Sequence, residues 1–127
     1  MKAYRFTLAD DDANTLFLMH HMLAEIFPNS SIASFSNAED ALRHSLDTGT
    51  DILITDNGMG RMDGAQLIRE LRQRKSTIPI IMISGNPAAR EEARPAGATE
   101  FLDKHTGMKV LEAHIRSLIH AWGNADA

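Results

Sequence analysis

Short apolar runs alternate with longer amphipathic ones along this chain. The runs 4–9 (YRFTLA), 31–36 (SIASFS), 51–55 (DILIT), 78–84 (IPIIMIS) and 99–103 (TEFLD) read as strands. Between them the apolar period lengthens to that of a helix. Residues 14–27 (NTLFLMHHMLAEIF) predict a first helix that stops before Pro28, because the residue preceding a proline is pushed out of helical geometry. Its 3,4-spaced face holds Thr15, Leu18, Met19, Met22, Leu23 and Ile26, and leaves Leu16 and Phe17 outside the stripe. A second helix starts on Asn37 as its cap and ends at Gly49. A third spans 65–74, and a last one 107–122 carries Met108, Leu111, Ile115, Leu118 and Trp122 on one stripe.

The pattern is β-α repeated five times. Strands 52–54 and 78–83 are apolar without alternation, as expected of a parallel sheet covered on both faces. Right-handed crossovers then give a doubly wound α/β domain, in which ligands lie beyond the carboxyl ends of the strands. One stretch fits the pattern poorly. Residues 84–100 (SGNPAAREEARPAGATE) contain no Val, Ile, Leu, Met or Phe, and Pro95 cuts them. A helix there is expected to be short, weakly docked or partly irregular, since alanine alone makes a poor docking stripe.

Composition narrows the class. The 127 residues suffice for one domain. With 43% apolar and 24% charged residues the chain is ordinary for a soluble globular domain. The absence of cysteine removes disulfide frameworks and zinc knuckles, and fits a cytoplasmic setting. No signal peptide pattern and no membrane-length apolar run is present. A net charge of −4 argues against direct nucleic-acid binding. The six histidines are scattered and read as surface residues.

The chemistry lies at the strand ends. Strand 1 runs into Asp10-Asp11-Asp12, strand 3 into Asp56, strand 4 into Ser84-Gly85 and strand 5 into Asp103-Lys104. Crowded carboxylates invite a hard cation with oxygen ligands, such as Mg²⁺. An Asp carboxylate beside such an ion can accept a phosphoryl group, and a hydroxyl and an ammonium can bind the phosphoryl oxygens. Asp12 or Asn14 is expected to cap the first helix, and Asp63 the third. Asn57-Gly58 would signal a hairpin, but a helix follows.

Asp10-Asp11, Asp56, Ser84 and Lys104, with Met62-Asp63-Gly64, resemble the receiver domain of bacterial two-component response regulators, over roughly residues 4–122. The resemblance implies a flavodoxin-like three-layer fold with sheet order 2-1-3-4-5. It implies Asp56 as phosphoacceptor, and Asp10, Asp11, Asp56 and the main-chain carbonyl of Gly58 as ligands of Mg²⁺, for which Mn²⁺ can substitute. Ser84 would be the switch hydroxyl, Lys104 the phosphate-binding lysine and Phe101 the switch aromatic. The donor would be a phosphohistidine on a sensor histidine kinase or a phosphotransfer protein. Leu16 and Phe17 would dock it, and a downstream protein would be the target. The chain reads as a receiver domain that is the whole protein or nearly so, signalling by protein contact and not a turnover enzyme.

Three departures qualify the resemblance. His105 stands where the family has a proline in a cis peptide, so the Lys104-His105 bond is expected to be either trans on a different path or strained. Gly60 replaces a common proline, making loop 57–60 permissive, mobile without Mg²⁺ and open to water beside Gly58. The weak fourth helix is the third. Two competing readings are a phosphate-independent module of this fold and a metal-dependent phosphohydrolase. The latter typically has a second Asp two residues after its nucleophile, where Gly58 stands here.

Overall fold

The structure, a computed structural model, describes residues 3–126, with side chains through residue 121. Ten elements alternate: β1 (Arg5–Ala9), α1 (Ala13–Ile26), β2 (Ser31–Phe35), α2 (Ala38–Asp47), β3 (Ile52–Thr55), α3 (Gly64–Gln73), β4 (Ile80–Ser84), α4 (Ala89–Ala96), β5 (Glu100–Asp103) and α5 (Gly107–Asp126). All strand pairs are parallel, in the order β2-β1-β3-β4-β5. The expected doubly wound architecture and strand order are therefore both present.

Strand residues alternate between two apolar layers because successive side chains leave a strand on opposite faces. Leu53, Ile80 and Met82 meet Ala38, Ala41, Leu67, Ile68 and Leu71 of α2 and α3 on one face. Ile52, Ile54, Ile81 and Ile83 meet Met19 and Leu23 of α1 and Leu111 and Ile115 of α5 on the other. Each such large aliphatic side chain contributes roughly 1.5–3 kcal/mol by leaving water. Helix starts are fixed locally. Asp12, Asn37 and Asp63 each accept a backbone N–H of the first turn, the first two roles being those expected of Asp12 and Asn37 and the third that of Asp63.

Two placements in α1 differ from expectation. Leu18, assigned to the buried stripe, is 59% exposed, whereas Leu16 packs half-buried against the α1/α5 layer. Thr15, Met19 and Leu23 form the buried line, so the face is rotated by part of a turn. Phe17 is 70% exposed, as expected. The exposed apolar pair is thus Phe17-Leu18 and not Leu16-Phe17. Trp122, the last member of the α5 stripe, has its side chain outside the described residues.

The fourth helix is short, as its sequence predicts: eight residues with Pro95 in the last turn. It is nonetheless regular. Ala89, Ala93 and Ala96 are buried against the α2/α3 layer, so small side chains allow close approach but supply little apolar area. Ala88 offers no side chain to cap its first turn. Its end is better fixed. Gly97 takes φ +113, and a β-carbon there would stand 2.7 Å from Arg72 Cγ.

Arg72 joins three segments. Its Nε donates to the Gly97 carbonyl at 3.0 Å, and its Nη1 donates to those of Ser76 at 3.0 Å and Ile78 at 2.8 Å. The guanidinium thereby ties the end of α3 to the approach of β4 and to the end of α4. Arg72→Met keeps the stem and removes these donors. Urea denaturation should show a loss of about 2 kcal/mol, the size expected when buried acceptors lose charged partners.

Candidate functional site

The sheet's own hydrogen bonds carry the functional residues into place. Asp10 N–H donates to the Phe35 carbonyl at 3.1 Å, Asp56 N–H to that of Ala9 at 2.8 Å, and Lys104 N–H to that of Ser84 at 2.9 Å. Each residue is thus one step past a strand end but still in the ladder. Their side chains converge. One carboxylate oxygen each from Asp10, Asp11 and Asp56 lies within 4.8 Å of the others. Lys104 Nζ stands 2.9 Å from Asp10 Oδ2 and 3.9 Å from Asp56 Oδ2.

Burial makes this cluster costly. Asp10 is fully buried and Asp56 nearly so, while Asp11 faces solvent. Burial first, then the Asp10 charge, pushes the Asp56 carboxyl above the usual carboxylate range, with the Asn57 N–H and Lys104 pulling the other way. Burial pulls the Lys104 ammonium down, but the close contact with Asp10 and its charge, then the charge of Asp56, outweigh it and hold its pKa above the ordinary value. Asp10 Oδ1 accepts the Asp12 N–H at 2.9 Å, whereas the buried Oδ2 has no well-aligned donor. The Lys104 ammonium beside it supplies attraction at close range without completing its hydrogen bonding. Three carboxylates against one ammonium leave a local charge of −2 when all are ionised. An all-oxygen donor set with an under-satisfied buried oxygen and this charge fits a hard divalent cation. Asp10, Asp11 and Asp56 are the side chains that could hold it.

A cleft of about 270 Å³ adjoins the cluster, lined by Asp56, Asn57, Gly58, Ser84, Gly85, Asn86 and Lys104. Ser84 is buried, and its Oγ accepts the Asn86 N–H at 3.2 Å. Nothing lies within 4 Å of where a Gly58 β-carbon would stand, so the cleft is open there. Phe101 lies outside this lining. It is half-buried against the α2/α3 layer, with the Arg90 guanidinium 4.9 Å from its ring centre. Asp12 and Asp63 serve as helix caps, and Asp103 Oδ1 accepts the His105 N–H at 2.7 Å. The Lys104-His105 peptide is trans, since no described peptide bond is cis.

The loop after Asp56 is more constrained than its glycines suggest. Met59 is 2% exposed and anchors the loop in the α2/α3 layer. Gly60 has φ +68, a conformation closed to proline, so glycine there sets the path and is not simply a loosened position. Gly64 holds a tighter role. A β-carbon on it would stand 2.1 Å from the Asp56 carbonyl oxygen, and its N–H donates to the Asn57 carbonyl at 2.9 Å. The sequence marked Asn57 only as half of an Asn-Gly turn signal. Its Oδ1 accepts the Ala65 N–H at 2.9 Å and its Nδ2 donates to Glu92 Oε2 at 3.1 Å. An Asn at a strand end reads as a turn residue, which conceals this bridging role.

A five-stranded parallel sheet in this order, with acids and a lysine at its carboxyl edge, defines a flavodoxin-like domain whose acidic cluster could hold a metal ion. The model of the response regulator receiver domain matches residues 6–116, and the chain belongs to that family. Receiver domains are signalling modules of two-component systems, in which an Asp is phosphorylated and sensor kinases or phosphotransfer proteins are the usual partners.

Among curated relatives, the cyclic di-GMP phosphodiesterase response regulator RpfG of Xanthomonas campestris pv. campestris is 31% identical over 116 residues, covering 88% of this chain and 31% of that protein. The two-component response regulator PhoP of Pseudomonas aeruginosa is 28% identical, covering 91% of this chain and 51% of that protein. The chain thus spans about half or less of the length of these relatives. Among solved structures, the signal receiver domain of an HD domain-containing protein from Pseudomonas fluorescens superposes with TM-score 0.87 at 18% identity, over 97% of this chain and 99% of that one. The Vibrio cholerae chemotaxis protein CheY4 gives 0.81 at 20% identity, over 92% and 99%. At these identities the structural likeness speaks for the fold. No helix among the described residues is long and apolar enough to cross a membrane.

The contact at Gly64 can be tested directly. In Gly64→Ala the added methyl must displace the Asp56 carbonyl. The expected cost is about 1–3 kcal/mol in chemical denaturation, the range for overpacking a site that has no room. Amide chemical-shift changes should concentrate at 55–58, and an unchanged spectrum there would remove the role assigned to Gly64.

Proposed function

We propose that Asp56 accepts a phosphoryl group from a phosphohistidine on a sensor histidine kinase or histidine phosphotransfer protein, and that the protein signals by the change this makes at its surface. The observation that carries the reading is the convergence of Asp10, Asp11, Asp56 and Lys104 at one sheet edge beside an open cleft. In the transfer an Asp56 carboxylate oxygen bonds to phosphorus as the donor's N–P bond breaks, and the imidazole leaves with the electron pair. Asp10, Asp11, Asp56 and the Gly58 carbonyl would hold Mg²⁺, with Mn²⁺ as a substitute. Such an ion supplies charge neutralisation at the phosphoryl oxygens.

The remaining chemistry belongs to the chain. Lys104, already raised in pKa and close to both acids, keeps its proton and stands ready to pair with a phosphoryl oxygen. Ser84, across the cleft, can exchange its contact with the Asn86 N–H for a hydroxyl donation to the same group. Phe101 would follow that movement, although it must first leave the Arg90 guanidinium. The open space at Gly58 admits water and favours rapid loss of the phosphoryl group.

Incubation with acetyl phosphate and Mg²⁺ should add one phosphoryl group by intact mass. Asp56→Asn or chelation of the metal should abolish the addition. A wild-type protein that gains no mass would overturn the reading.

Donor docking is assigned to the exposed Phe17 and the neighbouring Leu18, with Leu16 as its half-buried support. Phe17→Ala with Leu18→Ala should slow transfer from a cognate phosphohistidine donor by roughly tenfold, the effect of losing an apolar anchor. Labelling by acetyl phosphate should be unchanged. Equal rates with the protein donor would remove this surface from consideration.

A further inference from the structure

Asn57 has little freedom. It follows Asp56 directly in the chain, its carbonyl accepts from the Gly64 N–H and its Oδ1 accepts from the Ala65 N–H. The remaining group, Nδ2, reaches across 35 residues of sequence to Glu92 Oε2 in α4, at 3.1 Å. A residue that touches the phosphoacceptor and lines its cleft is therefore tied by a charged hydrogen bond to the helix with the weakest apolar anchoring. That helix has eight residues, an alanine face, no side-chain N-cap and an internal proline. A single polar tie matters more there than on a helix held by large side chains.

We propose that Glu92 is a charge-sensing latch that holds α4 to the phosphoacceptor loop and lets go when Asp56 is phosphorylated. The proposal rests on the reading of Asp56 given above. Conversion of the carboxylate to an acyl phosphate brings a net gain of about one negative charge into the cleft. Asn57 Nδ2, fixed between the cleft and Glu92, then has competing anionic acceptors on its two sides. The Glu92 carboxylate is exposed and free to swing into water, whereas the phosphoryl group is covalently held. Repulsion therefore moves Glu92, and the turn of α4 that carries it loosens. Linkage makes the effect reciprocal: the latch that phosphorylation opens also opposes phosphorylation. Glu92 is thus a positioning residue, acting on Asp56 through Asn57.

Two variants separate the tie from the charge. Glu92→Gln keeps an acceptor for Asn57 Nδ2 but carries no charge, and Glu92→Ala removes both. Amide exchange over 89–96 is read before and after treatment with acetyl phosphate and Mg²⁺, and the adduct is counted by intact mass. In untreated protein, Glu92→Ala should exchange roughly threefold faster than wild type in this helix, the effect of one exposed charged contact, while Glu92→Gln stays near wild type. After phosphorylation wild type should rise to the level of Glu92→Ala, and Glu92→Gln should not. Glu92→Gln should also reach a phosphorylated fraction relative to unmodified protein roughly threefold higher at steady state, because the charge that opposes the incoming phosphoryl group is gone.

Untreated Glu92→Ala exchanging like wild type would overturn the latch. An equal rise in Glu92→Gln and wild type would overturn the charge as its trigger. Absence of any adduct on wild type would overturn the phosphoacceptor reading instead, and the untreated Glu92→Ala comparison would still decide whether the latch exists.

Discussion

The contact between Lys104 Nζ and the buried Asp10 Oδ2, at 2.9 Å, is the interaction on which the site depends. It joins the end of β5 to the end of β1 across the carboxyl edge of the sheet. Asp10 is fully buried and sits in a group of three carboxylates. Without a cation, burial and the repulsion between these carboxylates disfavour the folded arrangement. One ammonium relieves part of that cost and leaves part standing. The unfavourable charge that remains is what fits the cluster to a metal ion. The same lysine, 3.9 Å from Asp56, is within a small movement of any anionic group attached there. Stability and reactivity are therefore set by one balance of charges.

That balance requires three carboxylates from two loops to be held against their own repulsion. The parallel sheet does this by extending its backbone ladder one residue beyond the strands, at Asp10, Asp56 and Lys104. The two apolar layers then fix the strands from both faces. Behind Asp56, Gly64 admits the reactive residue's carbonyl, and Met59 anchors the loop between them. The rigid side of the site is thus β1, β3 and α3. The opposite side is β4, α4 and β5, where Ser84, Glu92 and Phe101 lie, and its loosely anchored element is α4, which docks through alanines. A charge change at Asp56 meets a fixed wall on one side and a movable one on the other, which gives it a direction in which to act.

Most of the fold was legible because parallel strands buried on both faces are continuous apolar runs and their helices carry strong stripes. The strand-end acids and Lys104 were legible for a related reason: the topology sends every strand terminus to one edge, so sequence position predicts spatial neighbourhood. Three kinds of detail were not. The α1 face was misassigned at Leu18 and Leu16, since an apolar helix surrounded by apolar residues has no sharp polar boundary to fix its rotation. The tie between Asn57 and Glu92 depends on two exposed or half-exposed polar residues 35 positions apart, a pairing that no local pattern encodes. The positive φ of Gly60, which proline cannot adopt, and the burial of Met59 were not legible either, because backbone sign is not visible in residue type alone.

The junction after Lys104 shows how the same placement can be reached without proline. The family's proline stiffens the chain there through its ring. In this chain His105 follows Lys104 through a trans peptide, and the stiffness has another source. Asp103 Oδ1 accepts the His105 N–H at 2.7 Å, closing an Asx turn around the lysine. The Lys104 N–H is meanwhile held by the Ser84 carbonyl at 2.9 Å. Gly107 then starts α5 directly against Leu102, where a β-carbon would stand 2.7 Å from Leu102 Cβ. Asp103, which the sequence left without a role, and Gly107 therefore bracket the segment at both ends. A side-chain acceptor and a close helix approach replace a ring, and Lys104 still reaches Asp10. His105 in place of proline moves the constraint from covalent geometry to a hydrogen bond that water can compete for, which places the softest point of the junction beside the lysine that pairs with Asp10.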